Sequence, residues 1–346
     1  MRFLVWILFI LIPNISLATA PKNFIIDTDV AADDVIAILY LLKQPNVHIE
    51  AITIESDGNA HCKPAFNNVK KVLQITHHET IPIACGQPTP LRGSHHFPEE
   101  VLKECDTLKG LMPENPEIKI PKQSAEALMS STLASAKKPV SILAIAPLTT
   151  IAQVLEKYPD LKHKISQIYI MGGAIKVAGN IKDVEPKSIN ETAEWNIYID
   201  PYAAEKVFHS GVRITLVPLD ITNTVLMDND FYQAIKKNHR SPEANFIFEM
   251  LEHNKEMVFS HSWYFWDPMA AVLALHPELA NFKTLLLSVK QSPEKLSGAT
   301  IIDTTNGAKI RVALTIQRQL FKKHLISILT ALSRPNFRAQ KTHHRH

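Results

Sequence analysis

Apolar residues along this chain fall into two alternating patterns. Short runs rich in β-branched residues, such as NFIID at 23–27 and HIEAITIES at 48–56, have the length and composition of buried strands. Between them, DDVIAILYLLKQ at 33–44 spaces its apolar residues for a helix and opens on two carboxylates, which suit a helix N-terminus. The alternation then continues. Helices are predicted at AFNNVKKVLQIT (65–76), SAEALMSSTLASA (124–136), LTTIAQVLEKYP (148–159) and PYAAEKVFHSG (201–211). Strands are predicted at IPIACG (81–86), VSILAIA (140–146), QIYIMGG (167–173) and RITLVPLD (213–220). Strands alternating with helices predict an α/β domain with an open, mainly parallel (mixed) central sheet covered by helices on both faces.

Two stretches interrupt the rhythm. Residues 88–121, rich in Pro, Gly, His and acids, read as a long loop over the sheet edge that can serve as a lid. GGAIKVAGNIKDVEPKSINETAEWN at 172–196 reads as irregular, and HSWYFWDPMAAVLAL at 261–275 enters a late helix. No repeat or linker divides the chain, so one domain is expected over 21–333.

Composition adds little to that picture except at the ends. The 346 residues are 46% hydrophobic and 21% charged, as in a globular protein with a sizeable core. The formal net charge of +3 is concentrated in the tail RAQKTHHRH, so 334–346 is expected to be a disordered basic tail. Without a basic face, no nucleic-acid partner is expected. MRFLVWILFILIPNISLATA has Arg2, an apolar run from Phe3 to Ile12 and small residues at Ala18 and Ala20. That is the layout of a cleaved signal peptide over 1–20, which implies export to a periplasm or the medium without stable membrane insertion. Of three cysteines, Cys62, Cys85 and Cys105, all cannot pair within one chain, and their spacing fits no zinc site. An oxidising compartment permits one disulfide, but partly buried free thiols are the expectation.

IIDTDVAADD at 25–34 places Asp27, Asp29, Asp33 and Asp34 within a strand end and a helix start. Carboxylates this close repel, and burying them ionised is costly unless a cation, a proton or hydrogen-bond donors compensate. Ligands of an open parallel sheet bind beyond the carboxyl ends of its strands, which is where these acids fall. An all-oxygen set suits a hard cation, and Ca²⁺ accepts irregular oxygen sets more readily than Mg²⁺. Helix capping accounts for Asp33 and Asp34 but not for four acids. A phosphatase forming an aspartyl-phosphate is a rival for DxD after a strand, but it carries Thr where Ala31 stands. On spacing alone, Asp267 before Pro268 reads equally as a helix cap, Asn180 and Asn196 as turn residues, and HSWYFW as a packed aromatic face. The sixteen histidines lack metal spacing; His77-His78 and His95-His96 read as surface pairs, with His95 and His96 as candidate lid groups.

DTDVAADD resembles the DxDxxxDD signature of the nucleoside hydrolases, the inosine/uridine-preferring ribohydrolases. SDGNA, LAIAPLTTIA, IYIMGG, GN, AEWNIYIDPYAA and WDPMAAV resemble further motifs of that family in the same order, over almost the whole mature chain. The resemblance implies a Rossmann-like nucleoside hydrolase fold and Ca²⁺-dependent hydrolysis of a ribonucleoside to free base and ribose. It implies that Asp29 is the catalytic base and that Asp29, Asp34, Asp267 and the main-chain carbonyl of Ile145 bind Ca²⁺. Asp33, Asn59, Asn180, Glu194 and Asn196 are then expected on the ribose, with Asp27 orienting Asp29 from behind. Trp266 stands where the inosine/uridine-preferring branch carries a His, so the chain resembles the purine-preferring branch, with Trp195 and Trp266 as stacking faces. Val30, Ala31 and Ala146-Pro147-Leu148-Thr149-Thr150 depart from the family's usual Pro-Gly and GPLTN. Those departures keep a second expectation open, an exported Ca²⁺-dependent ribose- or nucleoside-binding protein without turnover. The partner is a small nucleoside, and a homo-oligomer is left open.

Overall fold

The computed structural model describes residues 22–332 apart from 114 and 116. The expected signal peptide at 1–20 and basic tail at 334–346 lie outside the described residues. The first half alternates strand and helix: β1 (Lys22–Thr28), α1 (Ala32–Leu42), β2 (Val47–Ile54), α2 (Cys62–Ile75), β3 (Ile83–Cys85), α3 (Glu99–Asp106), α4 (Ala125–Ser135), β4 (Val140–Ile145), α5 (Thr149–Lys157) and β5 (Ile165–Met171). Then come α6 (Ile181–Val184), α7 (Trp195–Ile199), α8 (Pro201–Phe208), β6 (Ile214–Val217), α9 (Leu219–Thr222), α10 (Asn229–Asn238), α11 (Pro242–His253), α12 (Lys255–Phe259) and α13 (Trp266–Leu275). The chain closes with β7 (Ala280–Val289), β8 (Thr300–Ile302), β9 (Ala308–Ile316) and α14 (Arg318–Leu329).

The strands form one sheet in the order β3-β2-β1-β4-β5-β6-β9-β7-β8. From β3 to β9 neighbours run parallel, while β7 is antiparallel to both β9 and β8, so the sheet is mixed as expected. Strand periodicity distributes the core: Phe24 and Ile26 of β1 face one helical layer and Ile25 faces the other. The first layer contains α1 and α13, and α1 is buried along nearly its whole length, which explains why its sequence is apolar almost all round. The second layer contains α4, α5 and α8. The chain leaves β1 toward β2 on one side and later returns to β4 on the other, and the crevice of a doubly wound sheet opens at such a reversal.

Two expectations change. The 88–121 stretch is not a continuous loop, because Glu99–Asp106 forms α3; Glu99 and Glu100 in the first turn and Lys103 in the last are favourable helix-terminal charges that the sequence reading passed over. Cys62 and Cys85 are joined in a disulfide, whereas Cys105 is free. The crossover from β2 through α2 to β3 brings the start of the helix over the end of the strand, with Cα atoms 5.8 Å apart, and linear spacing does not encode that return. Among the described residues no helix is long and apolar enough to cross a membrane.

Candidate active site

The chain makes a tight turn after β1. Val30 has φ of 64°, a left-handed conformation unfavourable for a β-branched residue. The Asp34 carboxylate holds the turn by accepting the Thr28 hydroxyl, the Asp29 N–H at 3.3 Å and the Ala31 N–H at 3.1 Å. The same carboxylate therefore organises the turn that replaces Pro-Gly and presents an acid at the start of α1. Asp29 is held from the other side: its Oδ2 accepts both the main-chain N–H and the side-chain amide of Asn59, each at 2.9 Å. Asp29 Oδ1 has no partner among the described residues and faces a cavity of about 370 Å³.

That cavity collects the predicted residues from across the chain. Asp29, Asp33, Asp34, Asn59, Ile145, Asn180, Glu194, Trp195, Asn196, Trp266 and Asp267 all line it; Asp27 does not. Asp267 arrives on the first turn of α13, and its carboxylate lies with those of Asp33 and Asp34 in a buried triad in which one oxygen from each lies within 4.8 Å of the other two. The tightest triad thus contains Asp33, with Asp29 beside it. Ile145 ends β4 in register with Thr28, which brings its backbone to the same edge.

Burial and like charge dominate the electrostatics. Burial, with the Asp34 charge next, raises Asp29 well above the ordinary carboxylate range, and burial with the charges of Asp34, Asp33 and Asp29 does the same for Asp267. Burial pushes Asp33 up to about 7, with the Asp34 charge adding to it, and burial pushes Asp34 up to about 6 against the hydrogen bond from Thr28. Among the described residues no lysine or arginine pairs with these four acids. Their environment calls for a cation or for protons.

The opposite wall is built around α7. Glu194 caps it, accepting N–H groups from Asn196 at 3.0 Å and Ile197 at 3.2 Å, and also from Gly173 at 2.9 Å. Even so, burial pushes Glu194 up to about 7. Asn196 donates to the Met171 carbonyl at 3.1 Å, and Asn180 accepts the Trp195 N–H at 3.1 Å. Each retains side-chain hydrogen-bonding capacity toward the cavity. The Trp195 indole N–H is buried without a hydrogen-bond partner among the described residues. Trp266 is pinned by its indole N–H to Asn223 Oδ1 at 2.9 Å.

Sequence reasoning missed Phe97, whose ring stacks on Trp195 with centroids 4.4 Å apart, and Trp263, which it assigned to a packed face. Phe97 lies in the stretch read as a lid, directly before the Pro-Glu-Glu helix start, so its ordering was the available signal. His95 is half-buried at the surface, with Nδ1 2.6 Å from the Tyr198 carbonyl and its ring stacked on Tyr198 at 4.0 Å, while His96 is exposed. No histidine lines the cavity among the described residues.

A family model described as inosine-uridine preferring nucleoside hydrolase matches residues 24–323. The chain is 31% identical over 309 residues, covering 86% of itself and 94% of the relative, to the pyrimidine-specific ribonucleoside hydrolase RihA of Escherichia coli O81 (strain ED1a). It superposes with a TM-score of 0.77 and 28% identity on a solved plant nucleoside hydrolase, the PpNRh1 enzyme, over 90% of this chain and 99% of that one. A purine-preferring ribonucleoside hydrolase from Gardnerella vaginalis shares the fold, with a TM-score of 0.74 at 23% identity over 89% of this chain and 98% of that one. The chain belongs to the nucleoside hydrolase family.

Proposed function

We propose that this nucleoside hydrolase cleaves the N-glycosidic bond of purine ribonucleosides, with Ca²⁺ at the acidic mouth and Asp29 as base, outside the cytoplasm. The observation that carries the assignment is the free Oδ1 of Asp29, held at the cavity by the two Asn59 donors on Oδ2. Oδ1 is the atom that takes the proton from the attacking water, because Oδ2 is committed.

The donor set fits a hard divalent cation: carboxylate oxygens converge, they are buried, and among the described residues no lysine or arginine pairs with them. Asp29, Asp34, Asp267 and the Ile145 carbonyl would hold Ca²⁺. When bound, the ion supplies positive charge that lowers the pKa of a nearby water and anchors ribose hydroxyls. Asp33, Asn59, Asn180, Glu194 and Asn196 bind the ribose, and the surrounding carboxylates stabilise the positive charge that builds on the sugar as the bond to the base breaks.

The wall of the cavity favours a purine base, unlike the pyrimidine specificity of the relative RihA. Trp266, fixed through Asn223, offers a flat face to a bicyclic base, and Trp195 adds an unpartnered indole N–H. Among the described residues the cavity lining contains no imidazole to protonate a departing pyrimidine, whereas a purine takes a proton at N7 from solvent. Export is supported by the 1–20 pattern and suits the Cys62–Cys85 disulfide. The experiment is a kcat/KM comparison of inosine, adenosine, guanosine, cytidine and uridine with Ca²⁺, with chromatographic detection of the free base. Purines ahead of uridine is the expected order. Uridine as best substrate overturns the purine assignment, and binding of every nucleoside without product supports the binding-protein reading instead. Recovery of the mature chain in the periplasm or medium, starting near Thr19 or Pro21, tests export.

A further inference from the structure

Asp29 depends on a loop that has no regular structure of its own, and a second set of buried acids holds that loop. Between Glu55 and Asn59 the chain crosses Gly58, where a Cβ would overlap the Cβ and Oδ2 of Asp29. The backbone there presses directly on the Asp29 carboxylate, so any shift of the loop carries the Asn59 donors with it. Glu55 Oε1 accepts the Thr150 N–H at 2.7 Å, at the first turn of α5. Asp57 Oδ2 accepts the Thr149 hydroxyl at 2.7 Å, and that hydroxyl is 3.2 Å from Oδ2 of Asp200, the residue capping α8. These side chains lie behind the cavity and do not line it. They grip the loop at two points, two and four residues before Asn59.

We propose that Glu55 and Asp57 are positioning residues for hydrolysis: by anchoring the 55–59 loop to the N-terminus of α5 they set both Asn59 donors on Asp29 Oδ2 and so aim Oδ1 into the cavity. The inference rests on the hydrolase reading of Asp29. Burial pushes Asp57 up to about 7, and burial with the charges of Asp27 and Asp57 raises Glu55 well above its ordinary value. What the geometry uses at position 55 is an oxygen that accepts the Thr150 N–H, and a glutamine carbonyl oxygen is such an acceptor.

The test compares the full-length mature chain with Glu55→Ala, Glu55→Gln and Thr149→Val, using inosine turnover and calorimetric Ca²⁺ affinity. Glu55→Ala should lower kcat about 100-fold with KM changed less than about threefold, because misaiming a reacting group by an ångström has effects of that order. Its Ca²⁺ affinity should fall about 10-fold, as when the partners of a metal ligand are removed. Thr149→Val, which leaves the loop sequence intact, should lower kcat about 10-fold and decides the matter if Glu55→Ala does not fold. Glu55→Gln retains the acceptor and should stay within about threefold of the parent in both measurements. Parameters within twofold of the parent for both Glu55→Ala and Thr149→Val, or a Glu55→Gln enzyme as damaged as Glu55→Ala, overturn the proposal. A parent chain inactive on every nucleoside overturns the hydrolase reading instead, and Ca²⁺ affinity then decides the positioning role on its own.

Discussion

Asp27 and Asp29 belong to the same strand end, yet they work in groups with opposite surroundings. Asp27, Glu55, Asp57 and Asp200 lie behind the cavity, and donors reach them from the Thr53 hydroxyl, the Thr150 and Ala203 N–H groups and the Thr149 hydroxyl. Asp29, Asp33, Asp34 and Asp267 face the cavity, and three of them converge chiefly on one another. Where the fold supplies donors, carboxyls join segments of the chain together. Where like-charged carboxyls crowd together beside an opening, the donors that reach Asp29 and Asp34 do not cancel the mutual repulsion, and the charge must be met from outside, which is the condition for binding a cation and a substrate.

Removing the external charge should give the largest effect. Chelation followed by dialysis should abolish hydrolysis and lower Tm by about 5 °C or more, because a ligand of the native state stabilises it. The Ca²⁺-free chain should also lose stability as pH rises. Asp33 and Asp34, raised by burial to about 7 and about 6 from an ordinary 3.8, bind protons more tightly folded than unfolded. That stabilisation is complete below 3.8 and is lost as pH climbs through 6 to 7. Added Ca²⁺ should remove the decline. Full activity with excess chelator and no bound calcium by elemental analysis would sink the metal assignment.

Within the cavity group, Asp29→Asn should keep the fold and reduce kcat by about 100- to 10,000-fold, since the amide preserves shape but cannot take a proton. Retention of activity within about tenfold, about 1.4 kcal/mol of barrier, removes Asp29 from the base role. On the opposite wall, Trp266→Ala should lower kcat/KM for purines by about 5- to 150-fold, the equivalent of about 1–3 kcal/mol of stacking, and change uridine less. Unchanged purine turnover refutes the stacking face. Behind the cavity, Asp27→Asn should cost the least, about 10-fold in kcat with Ca²⁺ affinity nearly retained. A loss matching that of Asp29→Asn would erase the distinction between the two groups.

Much of this was legible along the chain because it is local. A strand, a turn and a helix start bring Asp29, Asp33 and Asp34 together within six residues, and the resemblance carried Asn59, Asn180, Glu194, Asn196 and Asp267 to the cavity where they are found. Glu55 and Asp57 were overlooked because an acid after a strand carries no mark of its partner; Thr149 and Thr150 lie more than ninety residues away. Phe97 was overlooked for a related reason, since its meaning comes from Trp195, which stacks on it from another loop.

The order of apolar and polar residues by itself determined the α/β alternation, the burial of α1 and the placing of several acids at one strand end, because periodicity and strand direction act over a few residues. Only the tertiary structure decided which acids face the cavity. Placing β1 between β2 and β4 sets Asp27 opposite Thr53 and Ala144, and lays the 55–59 loop against α5. It also brings Cys62 to Cys85 and carries Asp267 from the first turn of α13 to the end of β1. Strand order and crossovers depend on burying two faces of the sheet at once, a cooperative condition on the whole chain that no short stretch contains.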